Sequence, residues 1–268
     1  MAEKFIENTR VVDLQPLGAA NFLLTLEAPL ISRAATAGQF IQVAVPRCSV
    51  LWRRPFSIND VSTENGLVEI LFQILGRGTR ALAEVKRGDT LNVIGPLGNG
   101  FRVESTVRRA LIVAGGLGIA PFPFLLKRLG EASIPSVVLY GVGRREQLCC
   151  VDRLRERAEV YLCTLDGSAG EQGTVVDLLE KHLRENPPIP DLHLFTCGPT
   201  PMMRKVQTIA EKHQLSGQAS LETVMACGFG ACVGCAVPMR HPQPGVQEYY
   251  LACKDGPVFN LEEIIIHD

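Results

Sequence analysis

The feature that most constrains the fold is a change of rhythm part-way along the chain. From Arg10 to about Arg102, short apolar runs such as NFLLTLEA, QFIQVAV, LVEILFQIL and DTLNVIG are separated by glycine and proline, the pattern of an all-β barrel or sandwich. Between Arg109 and about Glu222, buried-looking strands are each followed by a helical pattern: RALIVAGG then PFPFLLKRLGEA, SVVLYGVG then QLCCVDRLRERA, LHLFTCGP then MMRKVQTIAEKH. Strands alternating with helices predict a parallel α/β sheet. Past Glu222 both rhythms dissolve into glycine, cysteine and proline, leaving fewer than fifty residues. So short a tail has no core of its own and calls for a metal or cofactor staple. The expected fold class is α+β multidomain: an antiparallel β-barrel over 1–104, a parallel-sheet α/β domain over 105–222 and a small metal-stapled domain over 223–268.

Composition narrows the function classes. With 268 residues, 46% of them hydrophobic, and a formal charge of −1, the chain can bury real cores but carries no one-signed field for nucleic acid or an anionic membrane. The opening MAEKFIENTRVV places Glu3, Glu7 and Asn8 where a signal peptide needs an apolar core. No later run approaches the ~20 apolar residues of a membrane span, so a cytoplasmic location is expected. Nine cysteines, an odd number, point to reduced thiols rather than a disulfide framework.

Four of those cysteines form a pattern. Cys227, Cys232 and Cys235 are spaced C-x4-C-x2-C, and Cys253 follows after seventeen more residues. This is the plant-ferredoxin spacing for a [2Fe–2S] cluster. Gly228, Gly230, Ala231 and Gly234 let the backbone approach a cluster and turn its N–H groups toward sulfur. A structural zinc site is the competing reading, although zinc modules usually pair two short-spaced knuckles, whereas three cysteines here face one. Cys48, Cys149, Cys150 and Cys163 read as ordinary core thiols.

LIVAGGLGIAPF reads as a strand running into a glycine turn and a helix. Its Gly116-x-Gly118-x-x-Pro121 is like the dinucleotide fingerprint with proline in the third place, where the missing N–H of a first-turn residue costs nothing. A tight strand-to-helix turn without a ligand is the bland alternative. LFTCGPTPMM supplies a second strand end, with Cys197, Gly198 and Pro199. Two such loops on one parallel sheet form a crevice suited to a nicotinamide dinucleotide. In the barrel, Arg53 and Arg54 precede Pro55, Phe56 and Ser57. The pair is either a solvated face or a guanidinium placed for a pyrophosphate beside an aromatic and a hydroxyl for a flavin ring.

Taken together, R-P-F-S in a barrel, G-x-G-x-x-P and C-G-P in an α/β domain, and a terminal C-x4-C-x2-C…C resemble the ferredoxin–NADP reductase superfamily. Within it the chain is similar to the electron-transfer subunits of two-component, NAD-dependent dihydroorotate dehydrogenases, and the resemblance covers nearly its whole length. That likeness implies FAD on Arg54, Pro55, Phe56, Ser57, Leu71, Phe72, Gln73, Gly78 and Thr79. It implies NAD(H), as substrate, against Gly116, Gly118 and Pro121, with Cys197 and Gly198 near the nicotinamide. The cluster would be held by Cys227, Cys232, Cys235 and Cys253. Gln73 stands where many relatives are expected to carry a basic residue.

The resemblance further implies a relay from dinucleotide to flavin to cluster, with no acid, base or nucleophile needed, in pyrimidine biosynthesis. The expected partner is a separate FMN-containing catalytic subunit that interconverts dihydroorotate and orotate, in a heterotetramer of two copies of each. Competing readings are the flavin subunit of a sulfide dehydrogenase or of an NADH-dependent ferredoxin–NADP oxidoreductase, relatives expected to carry aspartate at the position of Cys227, and a zinc-stapled adaptor without enzymatic activity. Arg144 and Arg145, after SVVLYGVG, suit either a 2′-phosphate or a solvated turn; the family resemblance implies NAD.

Overall fold

A computed structural model describes residues 3–46, 49–187, 189, 191–243, 245 and 247–266, so Cys48 lies outside the described residues. Six antiparallel strands close into a barrel: β1 (Phe5–Gly18), β2 (Asn21–Glu27), β3 (Phe40–Val43), β4 (Arg54–Ser62), β5 (Leu67–Gln73) and β6 (Thr90–Leu97), in the order β1-β2-β5-β4-β3-β6. Alternating residues turn inward, and Leu24, Leu26, Ile58, Ile70 and Val93 meet there with no exposed surface. The six-residue helix α1 (Pro29–Ala34) starts on proline, and its free N–H groups at Leu30 and Ile31 donate to the Glu7 carboxylate at 3.1 and 3.0 Å, which meets the need of an unpaired helix start. A second short helix, α2 (Arg77–Leu82), follows β5.

The α/β part is a seven-stranded sheet. Its strands are β7 (Arg109–Gly115), β8 (Ser136–Val142), β9 (Glu159–Thr164), β10 (Glu171–Gln172), β11 (Leu192–Cys197), β12 (Gly217–Ser220) and, after the hairpin β13 (Ala236–Gln243) and β14 (Gln247–Leu251), β15 (Val258–Asn260). The order is β10-β9-β8-β7-β11-β12-β15. Helices α3 (Phe122–Glu131) and α4 (Val151–Arg155) bury their apolar sides in the same core as the barrel interior, whereas α5 (Val175–Glu185) and α6 (Thr200–Lys212) pack into a second core. The start of α5 is a capping box: Asp177 N–H donates to Thr174 Oγ1 and Thr174 N–H to Asp177 Oδ2, satisfying two orphan donors reciprocally. Among the described residues no helix is long and apolar enough to cross a membrane.

The terminal segment departs from the expectation of a coreless tail. Its β15 pairs antiparallel with β12, with Ala219 opposite Phe259, so the expected parallel sheet carries an antiparallel edge. Val237, Ala252, Phe259, Leu261 and Ile264 fill the second core beside α5 and α6. Gln207 of α6 donates to the carbonyls of Leu261 and Ile264 at 2.6 and 2.9 Å. Three sequence domains therefore share two cores, and burial as well as any metal holds the tail.

Two seams fix the parts. Between barrel and sheet, Arg153 makes a bidentate pair with Glu69 at 2.7 and 3.2 Å, and Arg157, anchored on its own side by the Pro123 carbonyl at 2.8 Å, reaches Asp60 at 3.2 Å. Asn59 Nδ2 donates to the Ala120 carbonyl at 2.7 Å. Between barrel and tail, Asn99 Nδ2 donates to the carbonyls of Lys254 and Asp255 at 3.2 and 2.8 Å.

Candidate functional site

The first cavity opens where two barrel strands part. β4 pairs with β5 from Ile58 opposite Ile70 onward, whereas residues 54–57 pair only with β3 and residues 71–73 only with β2. The gap between these strand ends is a cavity of about 250 Å³. Pro55 is tolerated because that edge of β4 needs no ladder donor. Arg54, Pro55, Phe56 and Ser57 form one wall, Leu71, Phe72 and Gln73 the other, with Thr79 at the rim. Phe72 is braced by Phe22, stacked at 5.6 Å, and by Phe56, tilted at 5.7 Å.

The two adjacent arginines have separate tasks. Arg53 turns away to β6, where its guanidinium donates to the Asn92 carbonyl at 2.7 Å and to Asn92 Oδ1. Arg54 lines the cavity, with Nη1 held at 2.7 Å by the Trp52 carbonyl. Gly78 lies behind it, since a methyl there would stand 3.1 Å from Arg54 Nε. Thr79 Oγ1 accepts the N–H groups of Leu75 and Gly76 at 2.9 and 3.2 Å, holding the turn that carries Gly78.

A second cavity, about 270 Å³, lies at the carboxyl ends of β7, β8 and β11, where Gly116, Gly141, Gly143, Thr174, Pro199 and Met202 form part of its wall. This is the place where open α/β sheets bind ligands. Gly116 adopts φ +56°. Gly118 serves closeness instead: a methyl there would fall 2.4 Å from the Cys197 carbonyl oxygen, so only glycine lets the two strand-end loops meet. Pro121 caps α3 behind the cavity. Cys197 is buried, and burial followed by the nearby Glu222 pushes its thiol far up, so it stands as a neutral side chain rather than a nucleophile. Gly198, next to it, packs against the Gly115 N–H and Met202. Gln73 and Leu117 line both cavities, which makes the two neighbours through a shared wall.

The terminal segment closes the first cavity. Leu221, Glu222, Thr223, Met225 and Pro257 line it. Glu222 and Thr223 were not among the sequence candidates. Glu222 keeps part of its side chain exposed, but desolvation where it lines the cavity holds its carboxyl above the usual carboxylate range, and the buried Thr223 Oγ1 has no partner. No local signal marks them, because their place depends on the end of β12 folding back onto β4.

The cysteines stand as two pairs. Cys235 Sγ lies 3.2 Å from Cys253 Sγ and accepts the Cys253 N–H at 3.4 Å. Cys227 Sγ accepts the N–H groups of Ala231 and Cys232 at 3.3 and 3.4 Å. Burial raises the Cys227 thiol, but the N–H groups of Phe229, Cys232 and Ala231 and the Cys232 side chain outweigh it, bringing it down to about 6. Among the described residues no three donor side chains converge on a point suited to a single metal ion. In the other pair, burial and then Cys235 push the Cys253 thiol up to about 12, so it is protonated; two cysteine pairs backed by N–H donors fit a two-iron cluster, which takes two cysteines per iron, better than a tetrahedral zinc. Cys149 and Cys163 are buried and Cys150 half-buried; burial raises the Cys149 thiol to about 12 and those of Cys150 and Cys163 to about 11. Arg144 and Arg145 sit on an exposed turn, with the Arg145 N–H bound to Ser168 Oγ at 2.8 Å.

Comparison with known proteins follows the same division. A family model described as an oxidoreductase FAD-binding domain matches residues 18–101, an oxidoreductase NAD-binding domain matches 112–208, and the iron-sulfur cluster binding domain of dihydroorotate dehydrogenase B matches 222–265. A solved chain of an NADH-dependent reduced ferredoxin–NADP oxidoreductase superposes with a TM-score of 0.85 at 29% identity, covering 97% of this chain and 90% of that one. The ferredoxin reductase of a carbazole 1,9a-dioxygenase shares the fold, with a TM-score of 0.67 at 21% identity over 79% of this chain and 67% of its own. Curated relatives are more similar in sequence. The dihydroorotate dehydrogenase B (NAD+) electron transfer subunit of Desulforamulus reducens is 35% identical over 96% of this chain and 97% of its own length. That of Enterococcus faecalis is 32% identical over 97% and 98%. A chain that holds an FAD domain, an NAD domain and an iron–sulfur domain in this order, and aligns with such subunits almost end to end, belongs to the family of dihydroorotate dehydrogenase B (NAD+) electron transfer subunits.

Proposed function

We propose that this chain carries electrons between NAD and the FMN of a separate dihydroorotate dehydrogenase catalytic subunit, in a cytoplasmic complex of two copies of each chain serving pyrimidine biosynthesis. The observation that carries the reading is the shared walls. Gln73 and Leu117 join the dinucleotide cavity to the barrel cavity, and residues 221–225 join the barrel cavity to the cysteine loop. When bound, FAD exchanges electron pairs with nicotinamide and single electrons with a [2Fe–2S] centre. The protein's part is position and field. Arg54 would offer its guanidinium to the pyrophosphate, Phe56 and Ser57 would hold the flavin ring, and the Gly116 turn would let the dinucleotide phosphates approach the backbone. Cys227 and Cys232 would hold one iron, Cys235 and Cys253 the other. Alignment across the shared wall does the catalytic work.

Two measurements test this. The chain purified without oxygen is expected to be yellow-brown, with flavin bands and a long-wavelength shoulder; a colourless protein sinks the electron-transfer reading and favours a zinc-stapled adaptor. NAD reduction by dihydroorotate is expected only when the catalytic subunit is co-expressed. A coloured chain that instead supports sulfide or ferredoxin oxidation, and never dihydroorotate oxidation, would assign it to a sister enzyme.

A further inference from the structure

Gln42 is a buried polar side chain that this relay leaves unexplained. It sits on β3 with no exposed surface, and neither its Nε2 nor its Oε1 has a hydrogen-bond partner. Its strand neighbours Ile41 and Val43 belong to the barrel core, while Phe40 joins the core that holds the tail. Gln42 looks in the same direction as Phe40 by alternation, and what it meets there is Gly228. A methyl on Gly228 would fall 2.6 Å from Gln42 Nε2 and 3.0 Å from its Cδ, and Gly228 holds φ +82°. Gly228 directly follows Cys227. In the ladder Gln42 is in register with Pro55, a wall of the barrel cavity. The amide thus lies against the cysteine loop, on the strand that pairs with the wall of the barrel cavity.

A buried amide without partners destabilises a fold, and an apolar side chain of the same shape would fill the space without that cost. Hydrogen bonds to cluster sulfurs, in contrast, are among the groups that set the reduction potential of an iron–sulfur centre. We propose that Gln42 is a positioning residue for the cluster: its Nε2 group donates into the sulfur shell held by residues 227–235, pinning that loop to the barrel and raising the potential of the centre. The donor stabilises the reduced, more negative state, which favours electron arrival at the centre from either neighbour. This assignment rests on the reading of the four cysteines as a two-iron site.

The test is a redox titration of the intact holoprotein followed by electron paramagnetic resonance, with Gln42→Met as the variant. The expected result is a retained cluster signal, retained flavin and a cluster potential displaced negatively by a tenfold change in the one-electron equilibrium, or about 59 mV. An unchanged potential, with raised thermal stability, would mark a mere space filler and overturn the proposal. Should Gln42→Met not fold, the unsubstituted protein carrying 15N in its glutamine side chains answers the question: spin-echo spectra of the reduced cluster are expected to show a weak nitrogen coupling, and its absence overturns the assignment. A missing cluster signal in the unsubstituted protein overturns the four-cysteine reading and this proposal with it, whereas a normal signal with unmoved potential overturns this proposal alone.

Discussion

At the scale of single residues, the site depends on groups whose charge state is set by burial and by backbone donors. Cys227 accepts two N–H groups within 3.4 Å, an arrangement made for a thiolate. Replacing it by serine is expected to lower cluster content severalfold while FAD stays bound, read as loss of the long-wavelength shoulder with flavin bands intact; an unchanged shoulder and unchanged transfer to the partner would contradict its place in the ligand set. Glu222 makes a separate prediction. Its carboxyl is raised by desolvation, so the folded state holds its proton to a higher pH than the unfolded chain does, and this contribution to stability is lost as pH rises from the ordinary carboxylate range through the raised value. Glu222→Gln is expected to flatten that loss, the variant gaining on the parent in thermal midpoint as pH rises above the ordinary carboxylate range. Equal slopes for the two proteins would show the carboxyl to be unperturbed. The cysteine spacing was legible in the sequence because its ligands are local. Glu222, Thr223 and Gln42 were not, because each matters only through contacts with strands far away in the chain.

At the scale of elements, the sequence rhythm gives strands and helices their type, and the structure adds how they lock. Glycine and proline punctuation separates the barrel strands, and strand–helix alternation identifies the sheet; the pairing of β15 with β12 escapes both signals, since a three-residue strand has no period to read. The seam between barrel and sheet also has no local signature. Arg153 and Glu69 lie 84 positions apart in the chain yet meet in bidentate geometry. Because Arg153 keeps 40% of its side chain exposed, solvent screening limits the pair, and a double-mutant cycle of Arg153→Ala with Glu69→Ala is expected to give a coupling of about 1 kcal/mol. A coupling near zero would mean that Asn59, Arg157 and the apolar core under α3 fix the domain angle without it. Gln73 illustrates the same limit at the site itself: its placement in both cavities follows from β5 running on past the point where β4 leaves it.

At the scale of the whole molecule, the order of the parts bears on where the proposed partner would dock. The dinucleotide cavity lies at the carboxyl edge of the sheet, the barrel cavity beside it, and the cysteine loop beyond, so in the proposed relay electrons would leave or enter through the terminal segment. That segment bears exposed apolar surface: Val224 is 85% exposed, Phe229 53% and Val233 43%, all within ten residues of chain that also carry Cys227 and the exposed Cys232. Single exposed apolar residues need no explanation, but a group of them beside the proposed cluster ligands is the expected contact surface for the catalytic subunit. Val224 lines neither cavity, which makes it the cleanest probe. Val224→Asp is expected to leave flavin and cluster absorption and NADH oxidation by an artificial acceptor unchanged, while weakening binding of the catalytic subunit at least tenfold, about 1.4 kcal/mol, because a charge is desolvated without a partner. Dihydroorotate-dependent NAD reduction should fall at low subunit concentration and recover as the catalytic subunit is added in excess. A variant that binds normally would place the docking surface elsewhere, and one that loses NADH oxidation by the artificial acceptor would show that residue 224 supports the flavin cavity rather than the partner.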